Sequence, residues 1–141
     1  MMAVCVMVLG TTSGAGKSWL TTALCRHYVR MGLKVAPFKA QNMSNNARVV
    51  AGGEIGSAQY FQSLAAQVEP DVRMNPLLLK PEADTRSQVA LIGQVNQELS
   101  NLPWRWRRER VCPAITAALD ALRSDTYLVV FACPVSPVSI T

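Results

Sequence analysis

Histidine occurs once, at His27, and tryptophan, tyrosine and phenylalanine together make up only 6% of the chain. The four cysteines, Cys5, Cys25, Cys112 and Cys133, form no CxxC pair and have no histidine at metal-ligand spacing, which argues against a zinc site. Cys5, Cys25 and Cys133 lie in apolar runs and are expected to be small buried hydrophobes. Charged residues are scarce, at 16%, while half of the residues are hydrophobic, the reverse of a disordered chain. No apolar run approaches the 18 residues of a membrane span. The apolar start, MMAVCVMVL, lacks the basic flank and small-residue cleavage site of a secretory leader, so the expected location is the cytoplasm. Eight glycines and eight prolines show no triplet period, which excludes a collagen-like chain.

What remains is enough for one domain: 141 residues with a net charge of +5. Ten of the 14 cations are arginine, a modest basic excess that suits an anionic ligand. Residues 3–9 form a short Val-rich run that predicts a strand buried on both faces. Residues 17–31 carry apolar side chains at helical spacing and stop at Gly32. Residues 34–38 return to strand character, so the chain opens with a βαβ unit and a parallel sheet. Residues 41–53 are polar and read as an ordered functional loop. A second helix is predicted over 54–68, with Ile55, Ala58, Phe61, Leu64 and Ala65 facing inward. Short strands at 77–79 and 89–92 flank a polar turn at 82–87, and 96–106 is the least legible stretch. A third helix is expected at 108–122 with Val111, Ile115, Ala118, Leu119 and Leu122 inward, and 127–131 is a further buried strand.

The segment Gly10-Thr11-Thr12-Ser13-Gly14-Ala15-Gly16-Lys17-Ser18 lies between the first strand and the first helix, where a phosphate-binding loop belongs. Small residues let backbone amides curl around phosphate oxygens, and the helix start adds unpaired donors and partial positive charge. Thr11 to Ser18 would line the phosphates of ATP, with Lys17 reaching the terminal ones and the Ser18 hydroxyl on Mg²⁺. The spacing is not GxxxxGK[ST]: the first glycine of that pattern would fall at position 11, where Thr stands, and Gly10 comes one residue earlier. An ordinary glycine-bearing turn before a helix is the competing reading.

The loop GTTSGAGKS resembles the GTTSxAGKS loop of cobyric acid synthases, and more distantly the loop of dethiobiotin synthetases, both with the longer spacing. Pro37-Phe38-Lys39-Ala40-Gln41-Asn42-Met43-Ser44 is similar to the PFKxQNM motif of the first family. Gly52-Gly53-Glu54-Ile55-Gly56, with Ala58-Gln59, is similar to its GGEIGxAQ, and residues 74–81 (MNPLLLKP) to its MNPxLLKP. The similarity is dense over residues 4–93 and fades beyond.

The resemblance implies an α/β, three-layer P-loop NTPase fold with a mostly parallel sheet. It also implies one P-loop domain over residues 1–141, partial at its C-terminal end and without a glutaminase domain. The implied chemistry is ATP- and Mg²⁺-dependent amidation of corrin carboxylates through an acyl phosphate, with ammonia from a glutaminase domain or chain. Lys17 and Lys39 would be catalytic, Lys39 facing the γ-phosphate or the substrate carboxylate, against a solvated surface lysine. Glu54 joins Ser18 as a candidate Mg²⁺ ligand, against a glutamate favoured by a helix N-terminus. Gln41, Asn42 and Ser44 would contact corrin carboxylates or amides, or else satisfy the loop backbone. Lys80 would meet an anion, or simply end a strand.

The family's EGAGSPAEIN-like segment is altered. Ala132 replaces the glutamate that looks like a second metal carboxylate, Cys133-Pro134-Val135 replace GAG, and Ser139 and Thr141 replace the later acid and asparagine. Ser136, Pro137 and Ile140 match. Metal-dependent turnover is therefore in question, whereas the nucleotide loop is intact. Trp104-Arg105-Trp106-Arg107-Arg108 suits nucleic-acid stacking or a membrane surface, or a loop-to-helix junction where Trp packs and Arg covers it. With a P-loop present the junction is favoured, and neither nucleic acid nor membrane is expected as a partner. A non-catalytic nucleotide-binding module acting through a partner is the alternative function. A partitioning-type, DNA-associated ATPase is a third, opposed by the QNM and MNPxLLKP blocks.

Overall fold

The structure is a computed structural model, and it describes residues 2–12, 15–83 and 86–133. Its centre is a parallel sheet of β1 (Val4–Val8), β2 (Val35–Phe38) and β9 (Leu128–Ala132), in the order β1-β9-β2. The first βα unit therefore does not place β1 beside β2; β9, nearly 90 residues further on, enters between them. Val4 to Val8 align with Leu128 to Ala132, and Val35 to Phe38 align with Leu128 to Phe131, so all three strands end on one side.

Side chains of β9 alternate between two cores. Leu128 and Val130 join Val8, Cys25, Val35 and Ala66 beneath α1 (Lys17–Arg30) and α2 (Ser57–Ala65). Val129 and Phe131 join Ala36, Phe38, Met74 and Leu122 beneath α4 (Trp104–Asp125). Helices thus cover both faces of a parallel sheet, the three-layer arrangement that the sequence predicts. Helix α1 stops as predicted: Gly32 has φ +84° and donates to the Val29 carbonyl, a left-handed turn that glycine adopts without strain. Among the described residues no helix is long and apolar enough to cross a membrane.

Four expectations are corrected here. Strand β1 is not buried on both faces: it is the outer strand of its sheet, Val4 and Met7 are 64% and 58% exposed, and Cys5 is exposed with them. Apolar composition is the same for an edge and a central strand, so sequence alone does not separate them. Cys25 alone of the three cysteines is fully enclosed, and burial pushes its thiol pKa up to about 12. The polar stretch 41–53 is not a loop but three short strands, β3 (Gln41–Met43), β4 (Ala47–Val50) and the start of β5 (Gly53–Gly56). The second helix begins at Ser57, because Glu54 and Ile55 are tied into the antiparallel pairing of β4 with β5.

Beyond the central sheet, β3 pairs in parallel with β6 (Leu77–Ala83), which forms a hairpin with β7 (Arg86–Leu91) and then β8 (Gln94–Val95). The predicted strands at 77–79 and 89–92 are thus cores of longer ones. The stretch 96–106 holds a short helix, α3 (Gln97–Asn101), and the first turn of α4. Asn96 caps α3 by accepting from the Leu99 amide. Helix α4 buries Val111, Ala118 and Leu122 as expected but starts four residues early, so Trp104 to Arg108 are helical. The Arg105 guanidinium lies over the Trp106 ring, 5.5 Å from its centroid, but Trp104 and Trp106 are exposed, so the expected packing of the tryptophans is not met.

A short 3₁₀ turn, Val72–Met74, is held to the end of α4 by charge. Arg73 donates to the Asp71 carboxylate at 2.7 and 2.9 Å and to Asp125 at 2.8 Å. Burial alone would raise the Asp71 pKa, but the hydrogen bonds and charge of Arg73 outweigh it and hold the carboxyl below its ordinary value. A depressed carboxyl contributes stability above its unfolded pKa, near 3.9, that is lost as pH falls through the folded value. Asp71→Asn should therefore lower unfolding free energy by about 1 kcal/mol at pH 7, measured by urea denaturation, with the difference closing below about pH 4. An undiminished difference at pH 3 would contradict this account of the pair.

Candidate functional site

The two candidate lysines lie beyond the C-terminal ends of β1 and β2, near enough for the charge of Lys17 to be felt at Lys39. Lys17 is the first residue of α1, and its ammonium donates to the Thr12 carbonyl at 2.7 Å. The preceding Gly16 has φ +82°, a left-handed conformation that a side chain would strain. Gly10 matters for a different reason: a Cβ there would stand 2.9 Å from Cγ of Lys17 and 3.1 Å from Cβ of Ala15. The lysine stem folds back over Gly10, so the glycine one position early fits this longer loop. Thr11, Thr12, Ala15, Gly16 and the Ser18 side chain are exposed around it. Ser13 and Gly14 lie outside the described residues.

Lys39 follows β2 directly. Its amide donates to the Met74 carbonyl, and its Nζ donates to Oδ1 of Asn42 at 3.1 Å. Burial lowers its pKa, and the nearby charge of Lys17 lowers it further. A solvated surface lysine would feel neither effect. Two cations near each other are a repulsion that an incoming polyanion would relieve.

The remaining candidates separate. Asn42 is buried and donates Nδ2 to Oε1 of Gln59 at 3.0 Å. Gln41 points the other way, into a small cavity of about 160 Å³ shared with Leu77, Trp104 and Val111. Ser44 completes a turn: its Oγ accepts from the Asn46 amide, and its own amide donates to the Leu79 carbonyl. That is the backbone-satisfying role. Lys80 forms an ion pair with Glu54, both about four-fifths buried, in a shallow cleft lined by Val49, Gly53, Gly93 and Gln94.

That ion pair bears on the metal. Ser18, at the helix start with an exposed hydroxyl, fits a Mg²⁺ ligand role. Glu54 does not fit in this arrangement: its enclosed Oε1 already faces the Lys80 ammonium, and a cation there would have to displace another cation. Among the described residues, no three His, Cys, Asp or Glu side chains converge. Ala132 stands at the end of β9, buried and level with Val8, and offers no oxygen ligand from its side chain. Residues 134–141, including Pro134, Ser136, Ser139 and Thr141, lie outside the described residues.

Sequence reasoning passed over three site residues. Gln59, Gln62 and Asn75 are all buried. Gln62 Nε2 donates to the Ser18 carbonyl at 3.3 Å, joining α2 to the start of α1. Asn75 Nδ2 donates to the carbonyls of Lys39 and Leu77, and its Oδ1 accepts from the Gly56 amide at 2.9 Å. The signal that could have found them was the run Gln59, Gln62, Ser63 on one side of α2. The apolar series Ile55, Ala58, Phe61, Leu64, Ala65 was expected to face inward instead. In the structure Phe61 and Leu64 are exposed and the polar side is buried, because that side meets Asn42 and the start of α1.

Comparison with known proteins agrees with this geometry. A family model described as the CobQ/CobB/MinD/ParA nucleotide binding domain matches residues 6–125. The chain is 74% identical over 136 residues to a cobyric acid synthase of Variovorax paradoxus (strain S110), covering 96% of the chain and 28% of that relative. It is 72% identical over 141 residues to one of Acidovorax sp. (strain JS42), covering 96% of the chain and 29% of the relative. The figure for Polaromonas sp. (strain JS666 / ATCC BAA-500) is 73% over 135 residues, with 96% and 27% covered. The chain thus spans a little under a third of the length of the curated relatives it matches.

Removing one partner of an enclosed ion pair leaves the other charge uncompensated. Lys80→Met should cost about 2 kcal/mol in urea denaturation, and Lys80→Met with Glu54→Gln should recover most of it. Equal losses in the single and double variants would mean that Glu54 does not depend on Lys80.

Proposed function

The chain belongs to the CobQ/CobB/MinD/ParA nucleotide binding domain family, and from that membership we propose that it binds Mg-ATP at the loop between β1 and α1. On this reading it serves the amidation of corrin carboxylates in cobalamin biosynthesis, as a single P-loop domain over residues 1–141 in the cytoplasm. The observation that carries the reading is the placement of Lys17 at the start of α1, beyond β1, and Lys39 directly after β2, near enough that the charge of Lys17 adds to the burial that lowers the Lys39 pKa. A nucleotide seated there would draw Lys17 from the Thr12 carbonyl onto its terminal phosphates.

A carboxylate is a poor electrophile. Transfer of the γ-phosphoryl group to a substrate carboxylate oxygen gives an acyl phosphate and ADP. Ammonia then attacks the acyl carbon, phosphate leaves, and an amide remains after loss of a proton. Lys17 and the loop amides would neutralise charge on the transferring group. Lys39, directly after β2, would hold the γ-phosphate or the carboxylate in line. Bound Mg²⁺ supplies charge neutralisation between phosphate oxygens, and Ser18 is the residue here suited to hold it. The ammonia would come from a glutaminase domain or chain. Asn42 is committed to Lys39, Ser44 bonds to the Asn46 amide, and Gln41 lines a separate cavity. The corrin contacts expected of these residues are therefore supported for none of them. A nucleotide-binding module that works through a partner is the second reading, and Ala132 in place of an expected carboxylate favours it.

Titration calorimetry with Mg-ATP should show Lys17→Ala binding at least about tenfold more weakly than the wild type, the loss of one charge-assisted contact. Equal affinities would overturn the phosphate-loop assignment. With ammonium supplied in place of glutamine, ATP-dependent amidation of a corrin acid by this chain should be slow, and Ala132→Glu should raise it. Rapid turnover by the unaltered chain would remove any role for a carboxylate at position 132.

A further inference from the structure

Helix α2 turns its polar side inward. Gln59, Gln62 and Ser63 are completely buried, while Phe61 and Leu64 remain about half exposed, and Phe61 is covered in part by the Arg48 guanidinium 5.1 Å from its centroid. Burying amides in place of an aromatic and a leucine forgoes hydrophobic stabilisation and requires every amide to find a partner. Stability alone does not account for such a helix. Ser63 bonds back to the Tyr60 carbonyl, and Gln59 Nε2 and Gln62 Oε1 find no partner among the described residues, but the two bonds that the glutamines do make, to Asn42 and to the Ser18 carbonyl, lead toward the two lysines.

From this arrangement we propose that Gln59 and Asn42 are positioning residues for Lys39, a relay of buried amides that fixes the lysine ammonium beside the phosphate loop. The proposal rests on the nucleotide-binding reading above and adds to it the residues that aim the lysine. The relay runs in one direction. Lys39 Nζ donates to Asn42 Oδ1 at 3.1 Å, and Asn42 Nδ2 donates to Gln59 Oε1 at 3.0 Å. The Gln59 acceptor fixes which way the Asn42 amide faces. It thereby presents the Asn42 oxygen, not its NH₂ group, to the ammonium.

Two further features show that the fold is shaped around the relay. Gly56 stands where a Cβ would lie 2.2 Å from Asn42 Nδ2 and 2.8 Å from Gln59 Oε1, so only glycine leaves room for their contact. The Gly56 amide is bonded to Asn75 Oδ1, and Asn75 Nδ2 holds the Lys39 carbonyl. The backbone that carries Lys39 and the backbone that opens over the relay are therefore clamped by one side chain. One turn along α2, Gln62 holds the Ser18 carbonyl, so the same helix ties the lysine and the phosphate loop together.

The charged neighbour of Lys39 is Lys17 on α1; Asn42 on β3 and Gln59 on α2 are neutral, and Asn75 meets its backbone. Competitive acylation of the ligand-free chain across pH, read by mass spectrometry at Lys39, tests the relay without needing nucleotide. An accepting oxygen favours the ammonium form, so its loss makes deprotonation easier. Asn42→Ala should move the Lys39 labelling midpoint to lower pH. Gln59→Met should move it the same way by less, and Gln59→Glu, which keeps an acceptor and adds negative charge, should move it upward. Gln59→Met should also weaken Mg-ATP binding about fivefold, the worth of one net hydrogen bond. A helix-packing role for Gln59 would lower the melting temperature and leave the Lys39 midpoint unmoved; that result overturns the proposal. Should Gln59→Met fail to fold, Gln59→Glu decides alone, and an unmoved midpoint there is equally fatal. Failure of the nucleotide reading is seen separately, as equal Mg-ATP affinity in wild type and Lys17→Ala.

Discussion

Strand β9 must lie between β1 and β2, and the site depends on that placement. Its alternating side chains, Leu128 and Val130 on one face and Val129 and Phe131 on the other, supply each of the two cores with its centre. Its parallel ladders to both neighbours bring Val8 and Phe38 to the same end of the sheet. From those two ends spring the loop that carries Lys17 and the turn that carries Lys39. Without β9 the two lysines would belong to strands with no fixed spacing. The nearness of the two lysines is therefore a product of a contact between segments nearly 90 residues apart, beyond the C-terminal strand ends where parallel sheets place ligands.

Two kinds of charged arrangement bear on the site. Asp71, Arg73 and Asp125 neutralise one another where the 3₁₀ turn meets α4, and Glu54 and Lys80 do so in their cleft. Lys17 and Lys39 instead face each other, with a backbone carbonyl and an asparagine oxygen as their partners. Neutral acceptors hold an ammonium in place without cancelling its charge. The two ammonium groups thus keep their positive charge at one place, which is what recognition of a phosphate requires.

What the sequence made legible was local. The phosphate loop, the stop at Gly32, the inward face of α4 and the position of Lys39 after a strand follow from neighbours within a few residues. What escaped was set by distant partners. Glu54 reads as the start of a helix until β4 is found paired with β5, and as a metal ligand until Lys80 is found against it. Cys5 reads as buried until β1 proves to be an outer strand. Helix α2 was turned the wrong way because an apolar series at helical spacing is ordinarily the inner face. Here the polar partners of Gln59 and Gln62, 17 and 44 residues away, decide the rotation instead.

The end of β9 carries the argument one step further. Ala132 lies level with Val8, and the Cys133 amide donates to the Val8 carbonyl, so the chain leaves the sheet beside the start of the phosphate loop. Position 132 is therefore adjacent to the site in space, although it is distant in sequence. A carboxylate there would be well placed to act on a nucleotide's cation, and the methyl group of alanine is not. Glu54, the other carboxylate suggested by resemblance, is held by Lys80. The two substitutes for a strong acidic ligand thus fail for different reasons, one by composition and one by pairing. The cationic half of the site, by contrast, is complete and braced by Asn42, Gln59 and Asn75. Under the nucleotide-binding proposal, then, affinity for phosphate is the property in which this arrangement should show first.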